Sequence, residues 1–223
     1  LGADAYRRWK TGLLAEALRR AGFADTPIDP LVPAAPATRR RADLALRNGA
    51  VGFHERASRR VVDAPGCRVL DPPILTLAQR LRGLARGVAC LGPEAEAQVN
   101  LLDTGADLVL RGAREPDLAE RERLAAFAEA ADLARLCWAT GAAAPMPVAI
   151  RRAPSIAVAG VAVEPPPGAF LQATAAGEAA IGEAVLAALA DLPEDALVAD
   201  LYAGIGTLTF RLARRFRVRA AEG

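Results

Sequence analysis

The chain has 223 residues, a net charge of +2 and 52% hydrophobic residues, enough to bury one core and part of a second. No run of about 18 uncharged apolar residues occurs, which argues against a membrane span. The sequence begins with an amphipathic stretch rather than a basic and then apolar leader, so we expect a cytoplasmic protein. A monomer is expected as well.

The first predicted element is an amphipathic helix. Apolar residues recur at helical spacing between Ala5 and Arg20, and Gly22 ends the pattern. The prolines that follow, up to Pro36, predict an extended segment. Residues 1–37 are therefore interpreted as an N-terminal helix and linker.

Short alternating runs then predict antiparallel strands. They cover Ala42–Leu46, Ala50–Phe53 and Arg60–Val62, with Asn48-Gly49 as a hairpin turn. Between positions 39 and 60, seven arginines face only two carboxylates; they are Arg39, Arg40, Arg41, Arg47, Arg56, Arg59 and Arg60. A solvated sheet face and a polyphosphate-binding surface explain this charge equally well.

The next segment alternates helices and strands. We predict a helix over Leu75–Leu84, one or two strands within Val99–Leu110, a helix over Pro116–Ala131 and a strand over Leu133–Ala139. Residues 38–154 are thus predicted to form a central α+β domain that contacts RNA if its arginines bind phosphate.

The last segment contains a strand, a glycine loop and a second strand. After a strand at Ser155–Val163 and a helix from Thr174, the strand Leu197–Leu201 leads into a loop with Gly204 and Gly206. A later strand ends at Glu222, about 20 positions beyond the loop, where a doubly wound sheet presents a carboxylate to ribose hydroxyls. Residues 155–223 are predicted to begin a Rossmann-like α/β domain.

Two nucleoside ligands fit such a loop. A dinucleotide site usually has a third glycine, where this chain has Thr209. Asp200, just before the loop, suits the cationic sulfonium of S-adenosylmethionine better than a pyrophosphate. We favour the methyl donor over a dinucleotide, with a coincidental glycine turn as the third interpretation.

Two linked motifs carry a family resemblance. Gly168–Gln172 and Asp200–Thr207 together resemble the signature of the RNA 5-methyluridine methyltransferases, which modify ribosomal and transfer RNA. Tyr6–Leu18 and Arg39–Cys67 are similar to upstream parts of that family. The resemblance implies a class I methyltransferase domain whose strand Phe170-Leu171-Gln172 precedes the cofactor loop. It also implies that Gln172, Tyr202, Thr207 and Glu222 contact S-adenosylmethionine and that Gly204 and Gly206 shape the loop; with Asp200, these are the expected cofactor-binding residues.

The sequence departs from the family pattern at three positions in or beside these motifs. Thr174 and Thr207 stand where the family often has asparagine, and Ala203 stands where it has cysteine. These differences concern individual cofactor contacts.

The resemblance also assigns Cys67. Many family members hold a [4Fe-4S] cluster, and Cys67 stands where the fourth ligand is found, with the other three expected before Leu1. A buried thiol is the alternative. Cys90 and Cys137 match no motif and are expected in the core.

The family's reaction methylates carbon 5 of uridine through a covalent cysteine adduct. Its nucleophile and base lie downstream of the glycine loop, so both are expected beyond Gly223 and the 223-residue chain is expected to be inactive. Phe170 is either a wall for a flipped uridine or a core aromatic, and His54 is expected at the surface or in contact with RNA. A non-catalytic RNA-binding module and an NAD-dependent oxidoreductase are the alternative functions.

Overall fold

The computed structural model describes residues 2–63 and 66–223. The chain divides into two compact units, Leu1–Ala35 and Pro36–Gly223. The first unit contains helix α1, Ala3–Arg20, where a helix was predicted. Glu16 pairs with Arg19 and Arg20 in its last turns, each at 2.7 Å. No described helix is long and apolar enough to cross a membrane.

The second unit is built on a mixed sheet of seven strands. These are β1 Arg41–Arg47, β2 Ala50–His54, β3 Val61–Asp63, β4 Glu94–Leu102, β5 Gly105–Gly112, β6 Arg135–Thr140 and β7 Met146–Ile150. Their order is β3-β2-β1-β4-β5-β6-β7. Only the pair β5 and β6 is parallel within this sheet, because a helix connects those two strands.

The β1–β2 hairpin forms where turn chemistry predicted it. Asn48 and Gly49 have φ of 51° and 78°, as a two-residue hairpin turn requires. Along β1, Ala42, Leu44 and Leu46 are buried on one face while Arg41 and Asp43 lie on the other. This alternation gives the sheet one core face and one polar face.

Two helices cover the core face. Helix α2, Pro72–Gly87, is longer than predicted and buries Ile74, Leu77 and Leu81. Helix α3, Leu118–Ala130, buries Leu124 and Ala128 in the same core. The α3 N-terminus is closed by a reciprocal capping box between Asp117 and Glu120.

Two sequence expectations need correction here. Ser155–Val163 is a hairpin of two strands, β8 Ile156–Val158 and β9 Val161–Val163, because Ala159 and Gly160 adopt φ of 50° and 84° and reverse the chain. Strand β7 was not predicted, since its proline and its exposed edge position hide any alternation.

A second, smaller core packs against Ile205 and Phe210 of the last segment, which adds four further elements. They are α4 Ala175–Ala188, β10 Leu197–Leu201, α5 Thr209–Leu212 and β11 Arg217–Ala221, with β10 and β11 parallel. Leu102 at the end of β4, Ile156, Val158 and Leu171 are the buried residues of this core. Because Leu102 belongs to β4, the second core lies against the large sheet. The proposed boundary between residues 154 and 155 lies within one compact unit and stays a prediction.

Candidate functional site

The glycine loop joins β10 to α5 by a tight path. Tyr202, Gly204 and Gly206 all have positive φ, of 59°, 57° and 84°. A Cβ at Gly206 would lie 2.5 Å from the Phe210 ring, whereas a Cβ at Gly204 would meet nothing within 4 Å. Gly206 is thus required by packing as well as by backbone conformation, and Gly204 leaves open space above the loop.

Glu222, which follows the neighbouring strand β11, is hydrogen-bonded to the glycine loop. The Gly204 amide donates to the Glu222 carboxylate at 2.7 Å, and the Ala203 amide donates to the Ala221 carbonyl at 3.1 Å. The acidic residue expected at a ribose is therefore placed at the carboxyl end of β11, beside the glycine loop.

Asp200 and Thr209 form a contact that the sequence did not suggest. The Thr209 hydroxyl donates to the carboxylate of Asp200, which is only 8% exposed. Thr209 was noted only as a missing glycine, and no local pattern signals its bond across the loop. Asp200 is thus held by the first residue of α5, whereas Tyr202 next to the same strand is 87% exposed.

The segment 165–173, here called the strap, carries Phe170 and Gln172. The expected Phe170–Gln172 strand is not formed, because the strap carbonyls bond to groups on the large sheet instead of to a neighbouring strand. Phe170 is 62% exposed, so the expectation of a core aromatic is wrong, and the Arg41 guanidinium lies 5.0 Å from its ring centroid.

The strap and the glycine loop meet on the second core. Leu171 is buried there at 1% exposure, and Ile205 of the loop packs against the same cluster. Gln172 follows Leu171, and Gly204 and Gly206 flank Ile205. The structure therefore brings the two sequence motifs to one location although 32 positions separate Gln172 from Gly204.

Thr174, which stands where the family often has asparagine, is the N-cap of helix α4. Its hydroxyl accepts a 3.0 Å hydrogen bond from the Gly177 amide and caps α4. Asparagine and threonine both serve at helix N-caps, so the exchange preserves this structural role.

Within the arginine cluster of positions 39–60, the exposed side chains lie at the β2–β3 loop. Arg56, Arg59 and Arg60 are exposed there, and an open groove of about 480 Å³ is lined by Arg47, Asn48, Ser58, Arg59 and Arg60. The other arginines of the cluster are partly buried; Arg40 pairs with Glu178 at 2.6 Å and Arg41 with Asp43 at 3.3 Å. Arg60 also lies 3.7 Å from the Glu55 carboxylate, so only part of the sequence cluster is an exposed basic surface.

His54 is exposed at the end of β2. It borders a cavity of about 290 Å³ on the polar face of the sheet, together with Arg47, Glu96 and Arg111. This position agrees with a surface residue.

The cysteines have distinct environments. Cys90 and Cys137 are fully buried, and burial raises the pKa of each thiol to about 11. Both are therefore protonated at neutral pH and unsuited to nucleophilic attack. Cys67 is half-buried and packs against the main core.

No group of three or more metal-ligating side chains occurs among residues 2–63 and 66–223. The other three thiolates of a [4Fe-4S] cluster were expected before Leu1, so the assignment of Cys67 as a cluster ligand stays a prediction.

The sequence is similar to proteins named as RNA methyltransferases. An "uncharacterized RNA methyltransferase" of Rhizobium meliloti is 34% identical over 98% of the chain and 51% of that protein. The 23S rRNA (uracil(1939)-C(5))-methyltransferase of Pseudomonas aeruginosa is 35% identical over 87% of the chain and 44% of that protein. The chain thus spans about half the length of the curated relatives it matches. No protein-family profile matches.

The fold is also similar to a solved structure. The tRNA (uracil-54, C5)-methyltransferase of Pyrococcus abyssi, in complex with S-adenosyl-L-homocysteine, superimposes with a TM-score of 0.68 at 16% identity. The match covers 99% of this chain and 56% of that one. It establishes a shared fold for this part of both proteins.

Proposed function

We propose that this chain, a homologue of the RNA methyltransferases over nearly its whole length, is part of an enzyme that methylates carbon 5 of uridine in ribosomal or transfer RNA. In this proposal residues 155–223 contribute to S-adenosylmethionine binding, and the central segment faces the RNA.

One observation carries the cofactor assignment. The strap residue Leu171 and the loop residue Ile205 share a core, so Gln172, Gly204 and Glu222 lie around one location. The carboxylate of Glu222 at the end of β11 suits ribose hydroxyls, and the open space above Gly204 lets a nucleoside approach the backbone. Gln172 adds amide donors and an acceptor beside this location. These residues fit S-adenosylmethionine, which when bound supplies an electrophilic methyl group.

The arginine groove at the β2–β3 loop supports RNA as the partner. Arg59 and Arg60 are exposed there and Ser58 adds a hydroxyl, which suits phosphate oxygens. Phe170 is exposed beside the cofactor location and offers a ring on which an unstacked base can lie.

The covalent step requires groups other than those described here. Carbon 5 of uracil becomes nucleophilic when a thiolate adds to carbon 6, and a base then removes the proton from carbon 5. Cys90 and Cys137 are buried and protonated, and Cys67 packs against the main core rather than the core beneath the glycine loop. We propose that the nucleophile and base are supplied outside these 223 residues.

Photolabelling tests the cofactor assignment. Ultraviolet irradiation of the chain with methyl-tritiated S-adenosylmethionine is expected to label peptides that contain Gln172 or residues 202–207, and S-adenosylhomocysteine is expected to suppress the label. Labelling confined to other peptides, or suppression by NAD instead, would contradict the assignment.

RNA binding has a separate test. Arg59→Ala with Arg60→Ala is expected to weaken binding of a uridine-containing RNA and to lower the salt dependence, because about one counterion is released per phosphate contact. Arg151→Ala is the matched control, since Arg151 pairs with Asp132 away from this loop. Equal effects of both variants would argue against the groove.

A further inference from the structure

The strap is held to the sheet through its carbonyl groups. Side chains on the polar face donate to three of them: Arg135 to Pro165 at 2.9 Å, Gln98 to Gly168 at 3.1 Å and Asn100 to Ala169 at 2.8 Å. Arg40 supplies two more bonds, from its side chain to the Gln172 carbonyl at 3.3 Å and from its backbone amide to the Ala173 carbonyl at 2.9 Å. The position of Phe170 and Gln172 is therefore set by the central sheet.

Arg40 is hydrogen-bonded to three parts of the molecule: strand β4, the strap and helix α4. Its carbonyl accepts from the Leu101 amide of β4 at 2.8 Å, and its guanidinium reaches both the Gln172 carbonyl and the Glu178 carboxylate in the first turn of α4. The Arg40 and Glu178 side chains are 13% and 7% exposed, and the ion pair measures 2.6 Å. The pair thus lies largely out of water, where its directional contacts are strong.

We propose that Arg40 is a positioning residue that fixes Gln172 and the first turn of α4 on the central sheet, and thereby sets the geometry of the cofactor contact. This inference rests on the proposed role of Gln172 in holding S-adenosylmethionine. Arg40 itself donates to the backbone carbonyl of Gln172, which leaves the Gln172 side chain free for the ligand.

The chemistry explains why arginine stands at this position. A guanidinium presents several donors in a rigid fork, so one end pairs with Glu178 while Nε holds the Gln172 carbonyl. A lysine ammonium keeps the charge but lacks the fork. A buried ion pair also contributes little net stability, because desolvation offsets most of the attraction. The main consequence of the pair is therefore geometric.

The test compares Arg40→Lys with the wild-type chain. Hydrogen–deuterium exchange measures the strap and the first turn of α4, and calorimetry measures affinity for S-adenosylhomocysteine. For R40K we expect exchange in peptides spanning 165–180 to accelerate about tenfold and the affinity to fall about tenfold, which equals the loss of one good hydrogen bond. Exchange in β4 and β5 should be unchanged, and the melting temperature should stay within about 4 °C.

Two further variants keep the test decisive. Glu178→Gln retains Arg40 but removes its charged partner, and is expected to accelerate exchange in the same peptides. Arg114→Lys alters an arginine–glutamate pair of similar geometry, Arg114 with Glu120 at 2.7 Å, and is expected to leave the strap and the affinity unchanged.

Unchanged strap exchange in both R40K and E178Q would overturn the proposal, as would faster exchange spread evenly over the sheet. Failure of the wild-type chain to bind S-adenosylhomocysteine would instead count against the proposed function, and the exchange data would still decide the role of Arg40 in holding the strap.

Discussion

The Gly204 amide donates a 2.7 Å hydrogen bond to the Glu222 carboxylate, and this bond ties the glycine loop to the end of the next parallel strand. Glu222 thus shapes the loop and, in the proposed function, also presents negative charge to a ribose. Removal of the Glu222 side chain should therefore lower the affinity for S-adenosylhomocysteine more than removal of a surface carboxylate does.

Glu222→Ala is expected to weaken binding of S-adenosylhomocysteine about tenfold to a hundredfold, because a hydrogen bond to a charged group is worth about 1.5–3 kcal/mol. Calorimetry measures this loss. Glu194→Ala is the control, since Glu194 is an exposed carboxylate before β10, and equal affinities of the two variants would contradict the role of Glu222.

The two loop glycines should respond differently to alanine. Gly206→Ala places a methyl group 2.5 Å from the Phe210 ring at φ of 84°, whereas Gly204→Ala meets no atom within 4 Å. We expect Gly204→Ala to cost about 1 kcal/mol in backbone strain and Gly206→Ala to cost about 2–4 kcal/mol through strain and overpacking. Urea unfolding of the two variants checks this order, and a more costly Gly204→Ala would contradict the described loop.

A buried ion pair joins β5 and β6. Arg135 contacts both carboxylate oxygens of Asp107, at 2.8 and 2.9 Å, and the side chains are 5% and 1% exposed. Asp107→Ala is expected to lower the free energy of unfolding by about 3–5 kcal/mol, because it leaves a buried guanidinium without its counter-charge.

The double variant Asp107→Leu with Arg135→Met is the matched control for this pair. It removes both charges and should recover most of the loss measured by urea unfolding. A loss in Asp107→Ala below about 1 kcal/mol, the range of exposed pairs, would show that the pair is open to water in solution.

Acid should weaken the fold through Glu120. Two hydrogen bonds from Arg114 lower the pKa of Glu120 from 4.5 to about 2. Because the folded carboxyl binds its proton more weakly than the unfolded one, its contribution is complete above pH 4.5 and is lost as the pH falls toward about 2.

The measurement is the difference in unfolding free energy between the wild type and Glu120→Gln as a function of pH. We expect this difference to shrink steadily below pH 4.5. A difference that is constant down to pH 2 would show that Glu120 is not the titrating group.

The sequence predicted structure that depends on neighbouring residues, but it did not predict contacts between residues far apart in the chain. Asn48-Gly49 predicted its hairpin because the turn depends only on those residues, and the alternation over Ala42–Leu46 predicted the strand that β1 forms. Arg40 was counted as part of a basic surface, yet it pairs with Glu178, which lies 138 positions away. Partner choice at that separation depends on topology, so no local pattern reveals it.

In the candidate site, too, the sequence predicted the local features and missed the contacts between distant residues. The glycine spacing and the position of Glu222 were visible as motifs, because a strand–loop–helix–strand unit places them by short connections. The bond from Thr209 to Asp200 and the irregular strap were not visible. The first joins two side chains across the loop, and in the second, side chains of the sheet take the place of the backbone partners of a regular strand.

We propose that the glycine loop of this chain binds S-adenosylmethionine rather than a dinucleotide. Titration calorimetry of the chain with S-adenosylhomocysteine and, separately, with NAD tests it most directly. We predict saturable binding of S-adenosylhomocysteine that Glu222→Ala weakens, and no heat of binding with NAD. Binding of NAD with no response to S-adenosylhomocysteine would contradict the claim.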